Sequence, residues 1–519
     1  MRASFQALDE QDLQRHASLI AFLVKPGDTI ALHGDLGAGK TTFARALITA
    51  LMGGAAQEIP SPTFTILQTY DTPRLPVAHV DLYRVTDESE LDELGLFETI
   101  ANGLALVEWP ERAGGRLPTD RLDLSIEDAG ETALHCTGEI GLRNVSLEGG
   151  SSWAARIDRL TAMSKLFAAT GLSGGDCRLR YLQGDASARR YGRMICRNGR
   201  TAILMDWPRQ PDGPPIRDGR PYSRIAHLAE HVGPFIALSA ALDAHGFTVP
   251  RVLAHDRDRG LLVLDDLGDG VFGSLVQSGA IRQEMLWQEA VDALVALRRF
   301  NVAQDLPLPD GTSYRLPPYD RDALVIETEL LLDWYWPAVH AGTAPADVRA
   351  SFGEVWSAIF DRLLALPKGL ALRDFHSPNL MWCPRRHGIG RVGIIDFQDA
   401  LAGHAAYDLV SLLQDARLEV EPGLEDHLYR RYLRAVHAAE PGFKDDEFAF
   451  AYAALGAQRA TKILGIFSRL AARDGKPQYL QHMPRIWGYL ERNLQSPHLL
   501  ALRAWYDRFI PPAARRRPH

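Results

Sequence analysis

Short apolar runs that end in glycine or a carboxylate alternate with helix-spaced segments through the first third of the chain, and long helical periodicities dominate after residue 282. Thr29 to His33 is an apolar strand entering Gly34-Asp-Leu-Gly-Ala-Gly-Lys40-Thr41, and Thr42 to Leu51 has helical spacing. Val77 to Val80 ends at Asp81, and Leu104 to Val107 ends at Glu108. Further strands are predicted around Arg121 to Ile126 and Thr132 to Thr137. Residues 141–155 hold Gly149-Gly150-Ser151-Ser152 without strong periodicity and read as a linker.

A helix is expected from Arg156 to Ala169. Strands follow at Arg178 to Leu182, Tyr191 to Arg197 and Thr201 to Asp206, the last two joined by the hairpin signal Asn198-Gly199. A helix is predicted over Arg224 to His245, and the strand Leu261 to Leu264 runs into Asp265-Asp266-Leu267-Gly268. Beyond it the pattern predicts helices over 282–300, 321–336, 344–366, 405–418, 424–438 and 445–473. Trp334, Tyr335 and Trp336 fall among these helices and read as core residues or, less often for such aromatics, as a sugar platform. No internal repeat spans the chain.

The punctuation carries chemistry. Gly34 to Thr41 is a complete G-x-x-x-x-G-K-T loop between a strand and a helix. Gly34, Gly37 and Gly39 let backbone amides wrap phosphates, Lys40 supplies charge, and the hydroxyls of Thr41 and Thr42 open the helix, with Thr41 suited to Mg²⁺. Asp81 and Glu108, at strand ends after this loop, stand where a metal ligand and a water-orienting group are needed. Ser61-Pro-Thr-Phe64 reads either as a capped turn or as a nucleotide-sensing switch.

A second constellation lies in Leu372 to Asp399. Asp374 is followed five residues later by Asn379, and the strand Val392 to Ile395 delivers Asp396. Phosphoryl transfer needs a carboxylate aimed at the attacking hydroxyl and two oxygen donors for Mg²⁺, the order found here. Leu372 precedes Arg373-Asp374 where protein kinases carry His, and Phe397-Gln398 follows Asp396, so a small acceptor is favoured over a protein. His376 reads as a substrate contact or a satisfied loop histidine. Gly184 to Ser187 reads as a phosphate-covering turn, with Ser187 on the nucleotide, or as an ordinary turn. The link from Asp265 through Asp266 and Leu267 to Gly268 reads as an adenine-binding hinge or a plain strand end. The strand over Thr201 to Asp206 offers Met205 where a kinase places lysine, which leaves Arg189 or Arg190 to meet the phosphates. These patterns together predict an α/β P-loop NTPase domain over 1–140, a linker over 141–155 and a two-lobed α+β kinase-like domain over 156–519. Its small lobe is expected at about 156–268 and its large lobe at about 269–519.

Composition narrows the partners. The chain has 519 residues, of which 46% are hydrophobic and 24% charged, a globular profile. Residues 1–145 carry 11 basic against 22 acidic side chains, so this half is a poor nucleic-acid binder by itself, and any tRNA role is expected to be indirect. Acids at Asp9, Glu10 and Asp12 occupy the place of a signal-peptide core, and no apolar run reaches membrane-spanning length, which predicts a cytoplasmic protein without membrane contact. Cys136, Cys177, Cys196 and Cys383 show no paired spacing and are expected as thiols.

GDLGAGKTTF, SPTF, HVDLYR and EWPE together resemble the TsaE family, the ATPase of bacterial threonylcarbamoyladenosine synthesis on tRNA, over about residues 5–140. The resemblance implies ATP and Mg²⁺ at Lys40 and Thr41, Glu108 as the magnesium-side acid, Asp81 positioning water, and Trp109 near the nucleotide. It also implies two partners, the threonylcarbamoyl transferase subunit and its companion (TsaD- and TsaB-like). GDASARRYGR, LVLDDLGD, LRDFHSPNLMW and IIDFQDALAGHAAYDLVSLLQDAR resemble the aminoglycoside phosphotransferase-like kinases, closest to the AmgK sugar kinases of peptidoglycan recycling. That resemblance implies ATP-dependent phosphorylation of the anomeric hydroxyl of N-acetylmuramate and N-acetylglucosamine, with Asp374 as base and Asn379 and Asp396 on Mg²⁺. Another small alcohol, such as an aminoglycoside or choline-like amine, and a non-catalytic interaction module remain open alternatives.

Overall fold

The computed structural model describes the chain except residues 55–58, 63–64, 87–101, 130–140, 173–176, 183–188, 302–304, 341 and 516–519. Ser187 and the rest of the Gly184 to Ser187 turn, Thr63, Phe64, Cys136 and the strand expected over Thr132 to Thr137 lie outside the described residues. The described chain forms two compact units, Met1–Arg209 with Val252–Asp266, and Gln210–Arg251 with Leu267–His519.

In the first unit, β1 (Arg2–Leu8), β2 (Asp28–His33), β3 (Leu67–Tyr70), β4 (Val77–Asp81), β5 (Leu104–Glu108), β6 (Leu122–Asp128) and β7 (Arg143–Gly149) form one sheet, ordered β1-β7-β6-β2-β5-β4-β3. β2 runs parallel to β5 and β6, and β4 parallel to β5, which brings the ends of β2, β4 and β5 to one edge. These strands are buried and almost wholly apolar, as parallel strands covered on both faces must be. α1 (Glu10–Leu23) is capped by Asp9, whose side chain accepts the Asp12 N–H, and α2 (Lys40–Leu51) opens directly from the phosphate loop.

The expected linker is structured. Its residues form β7, which pairs with β1 and β6, and the first turns of α3 (Ser151–Ala169). Its glycines serve close packing rather than flexibility: a Cβ at Gly149 would come within 2.5 Å of the Trp153 Cβ, and one at Gly150 within 2.4 Å of the Asp120 Oδ1.

The same unit contains a second sheet of β8 (Cys177–Leu182), β9 (Arg190–Cys196), β10 (Thr201–Asp206), β11 (Val252–Asp256) and β12 (Leu261–Asp265), ordered β11-β12-β10-β9-β8 and antiparallel throughout. β8 is an edge strand, and α1 covers it. The Leu179 N–H donates to Ser18 Oγ at 3.0 Å, Arg178 bonds to Gln14, and Phe22 and Tyr181 lie 5.9 Å apart between ring centroids. α3 joins the two sheets through charge, with Arg156 paired to Asp28 of β2 and Arg159 to the buried Asp206 of β10. One hydrophobic core runs from Leu13, Phe22 and Leu47 through Trp153, Met163 and Phe167 to Leu179 and Met194. The small sheet expected to belong with the kinase half is therefore compact with the ATPase half.

The cysteine expectation also changes. Cys177 and Cys196 are opposed in the β8–β9 register and form a disulfide with a Cα separation of 4.0 Å, while Cys383 is a free thiol. A hairpin brings together residues 19 apart in sequence, so linear spacing holds no sign of the pair.

The second unit is largely helical. The helix expected over Arg224 to His245 is broken: Tyr222–Ile225 forms one turn, and α4 (Gly233–Ala244) starts after it. His227 adopts a left-handed φ of 53° between them, and the Ala229 N–H donates to Asp399 at 2.7 Å, anchoring the break. Further helices include α5 (Arg321–Leu330), α6 (Ala406–Leu413) and α7 (Asp445–Ala472). α5 passes into a wider turn over Leu331–Tyr335, where Tyr335 and the following Trp336 are core residues. The hairpin β13 (Leu380–Trp382) and β14 (Val392–Ile394) carries the Asn379 and Asp396 ends. Among the described residues no helix is long and apolar enough to cross a membrane.

Candidate active sites

In the first unit the phosphate loop leaves β2 with Gly34, Gly37 and Gly39 at φ of 138°, 81° and 109°, conformations that side chains rarely adopt. Gly34 is also required by space, since a Cβ there would lie 2.4 Å from the Ile126 carbonyl oxygen. Lys40 donates to the Gly34 and Asp35 carbonyls at 2.6 and 2.9 Å, and its Nζ sits 3.7 Å from the Trp109 ring centroid. Burial pushes the Lys40 ammonium down, while Glu108, Glu111, Asp81 and Asp35 push it back up. Trp109 holds a left-handed φ of 59° at the end of β5, which turns its ring toward the lysine.

Asp81 and Glu108 are register partners on β4 and β5, both nearly sealed from solvent. The Thr41 hydroxyl donates to Glu108 Oε2 at 2.9 Å, and His79 Nε2 meets Glu108 Oε1 at the same distance. The motifs alone do not mark His79. Its one signal is a histidine within the buried run Val77-Ala-His-Val80, where only a polar partner makes burial tolerable. Thr42 takes the third position of α2.

In the second unit, Arg373 and Asp396 carry φ of 72° and 62°, and strained non-glycine residues of this kind gather at functional sites. The Ile395 N–H donates to the Asn379 carbonyl at 3.0 Å, so the β13–β14 hairpin holds Asn379 next to the segment bearing Asp396. Asn379 Nδ2 also donates to the Asp374 carbonyl at 3.0 Å. Gln398 Nε2 donates to Asp396 Oδ1 at 3.1 Å. The Asp374 carboxylate is partly accessible and has no side-chain hydrogen bond or ion pair among the described residues. Burial raises its pKa, but the nearby His376, Lys462, Arg459 and Arg373 outweigh burial and hold the carboxyl below its ordinary value. His376 is pushed down by burial, against Asp415 and Asp374, and its Nδ1 lies 4.0 Å from Asp415.

The frame under this loop comes from residues to which the sequence motifs assign no role. Asp408 of α6 accepts the N–H groups of Leu372 and Arg373 at 2.7 and 2.9 Å. Arg373 reaches Glu327 of α5, to which Lys462 and Gln458 of α7 also donate at 2.7 and 2.8 Å. Asp408, Glu327, Gln458 and Lys462 are each a charged or amide residue inside a helical run with apolar neighbours, the one sequence signal able to mark them.

Burial opposes the charge of Glu327, yet Lys462 and Arg373 dominate and hold its pKa at about 2, against 4.5 for an ordinary glutamate. The folded state therefore binds fewer protons than the unfolded one between these values. The stabilisation, on the order of 3 kcal/mol, is present above pH 4.5 and is lost as pH falls toward 2. Acid unfolding of the protein and of Glu327→Gln should show this stretch of pH dependence in the former and its absence in the latter.

One nucleotide-side expectation changes. Arg190 pairs with the fully buried Asp206 of β10, so its charge is engaged inside the sheet rather than offered to phosphate. Arg189 lies over the Trp207 ring at 5.1 Å. Asp265 ends β12, Asp266 is ion-paired to Arg193 at 2.8 Å, and Leu267 begins the second unit. The side chain of Asp266 is thereby occupied, and the expected hinge reading, which uses backbone amides, does not depend on it.

Mg²⁺ prefers a few hard oxygen donors and retains waters. Thr41 with Glu108, and Asn379 with Asp396, supply such donors. Among the described residues no cluster of three or more His, Cys, Asp or Glu forms a closed metal cage. Both donor sets fit the ion, which when bound offsets phosphate charge.

A glycine-lined phosphate loop before paired strand-end acids, and an Asp-Asn-Asp set on a loop and hairpin, define a P-loop ATPase joined to a kinase-like phosphotransferase. Comparison with known proteins agrees. Residues 178–445 match the phosphotransferase enzyme family and residues 7–135 match threonylcarbamoyl adenosine biosynthesis protein TsaE. The chain is 38% identical over 368 residues to an N-acetylmuramate/N-acetylglucosamine kinase of Caulobacter vibrioides, covering 69% of this chain and 99% of that one. It is 34% identical to the Pseudomonas aeruginosa protein of the same name, over 59% of this chain and 81% of that one. Its first part is 41% identical to the TsaE protein of Bacillus subtilis, over 26% of this chain and 82% of that one. The chain belongs to the phosphotransferase enzyme family and, in its first part, to the TsaE family. It is an ATP-using enzyme with two phosphate-handling modules.

Proposed function

We propose that the chain is bifunctional, with a module over about 1–150 that hydrolyses ATP in support of threonylcarbamoyladenosine formation on tRNA, and a kinase that phosphorylates the anomeric hydroxyl of N-acetylmuramate and N-acetylglucosamine. The kinase comprises the rest of the chain, its small sheet included. The setting is cytoplasmic, and the first module works with the threonylcarbamoyl transferase subunit and its companion, meeting tRNA through them. Asp81 orients the attacking water there, while Lys40 and the loop amides hold the phosphates.

In the kinase, the unpartnered Asp374 carboxylate carries the reading. It accepts the proton of the sugar hydroxyl as that oxygen bonds to the γ phosphorus and the bond to ADP breaks. Asn379 and Asp396 hold the metal, and the backbone from Asp265 to Leu267 meets adenine. His376, two residues beyond Asp374, orients the acceptor. The test is phosphorus NMR of purified protein with Mg-ATP and each sugar. An anomeric phosphate doublet is expected with both; its absence with both sugars, alongside phosphorylation of an aminoglycoside or choline-like alcohol, would replace this substrate class.

A further inference from the structure

Arg459 lies on α7 with 5% of its surface exposed and makes no hydrogen bond or ion pair among the described residues. The other cations of this region are engaged. Arg373 and Lys462 both bind Glu327, and Gln458, next to Arg459 in sequence, binds it too. Asp374 is the matching unpaired anion. The positive charge of Arg459 also contributes to holding the Asp374 carboxyl below its ordinary value. Arg459 and Lys462 lie one turn apart on α7, and Lys462 holds the Glu327 that also binds Arg373, the residue before Asp374, yet Arg459 and Asp374 form no ion pair with one another.

A buried cation without a partner is costly unless something else pairs with it. A guanidinium presents a planar fork of donors that matches a carboxylate in two parallel hydrogen bonds. The two sugars named for the kinase relatives differ in this respect, for N-acetylmuramate carries a lactyl carboxylate that N-acetylglucosamine lacks. Taking the amino-sugar reading above as its basis, we infer that Arg459 is the receptor for the acceptor's carboxylate, a specificity-determining residue that favours N-acetylmuramate in the pocket served by Asp374.

The test compares steady-state kinetics of the full chain and of Arg459→Met and Arg459→Lys with both sugars. For Arg459→Met, kcat/KM for N-acetylmuramate relative to that for N-acetylglucosamine should fall about 10- to 100-fold, mostly through KM, with partial recovery in Arg459→Lys. The unaltered protein supplies an arm independent of folding: N-acetylmuramate methyl ester, whose carboxylate is neutralised, should lose a similar factor relative to the free acid. Equal losses on both sugars, a rise confined to the KM for ATP, or turnover of the ester as fast as the acid would each overturn the inference. Turnover of neither sugar by the unaltered protein would instead overturn the amino-sugar reading on which it stands.

Discussion

Asp374→Asn should lower sugar phosphorylation by about 10²- to 10⁴-fold while leaving acceptor-independent ATP hydrolysis intact, and Lys40→Ala should do the reverse. The first effect follows from the neighbouring carboxylates around this loop being engaged. Asp408 is consumed by the Leu372 and Arg373 amides, Asp415 by the Ser377 amide, and Asp399 by the Ala229 amide. Asparagine preserves the shape of Asp374 and removes its ability to accept a proton. The second effect follows from Lys40 being the cation seated within the phosphate loop, held by the Gly34 and Asp35 carbonyls and by Trp109. Parallel assays of ADP release, with and without sugar, separate the two. Loss of both activities in either variant would show that one site performs both.

Phe22→Ala should destabilise the first unit by about 3 to 5 kcal/mol, the range for removing a buried aromatic ring. Phe22 belongs to the ATPase half by sequence, being in α1, yet it packs on the small sheet. It is 1% exposed, and a Cβ at Gly192 of β9 would lie 3.2 Å from its Cε2. Arg190 stands 5.3 Å over its ring and Tyr181 is its aromatic neighbour. Heating should therefore abolish ATP hydrolysis and sugar phosphorylation over one shared, lowered temperature range. Ring loss that lowered hydrolysis alone would contradict a common core. Phe43, equally buried but under the seven-stranded sheet, is a suitable comparison.

Much of both sites is legible in the sequence, because their chemistry is local. The phosphate loop places six candidate ligand residues within nine positions, and Asp374, Asn379 and Asp396 fall on one loop and one hairpin. Strand positions are also legible where runs are mostly apolar, as in β2, β4, β5 and β10. What escapes depends on pairing at a distance. β1 and β7 are polar on alternate positions and become strands by pairing with one another across most of the first module. Glu327, Asp408 and Lys462 acquire meaning only when α5, α6 and α7 bring them under the catalytic loop. The linker expectation fails because two glycines that permit close packing share their composition with glycines that permit motion.

The covering of β8 by α1 has a consequence for the order of events during synthesis. All seven strands of the first sheet have left the ribosome once Gly149 has emerged, so Ser18 and Phe22 stand in place before β8 and β9 arrive. Those strands then condense onto a finished surface, whereas the far side of β10 waits for β12, which is translated only after a segment belonging to the other unit. The ATPase module is thus the template on which the kinase begins to fold, and a nascent chain halted once Asp206 has emerged would expose β10 as a bare edge of that sheet.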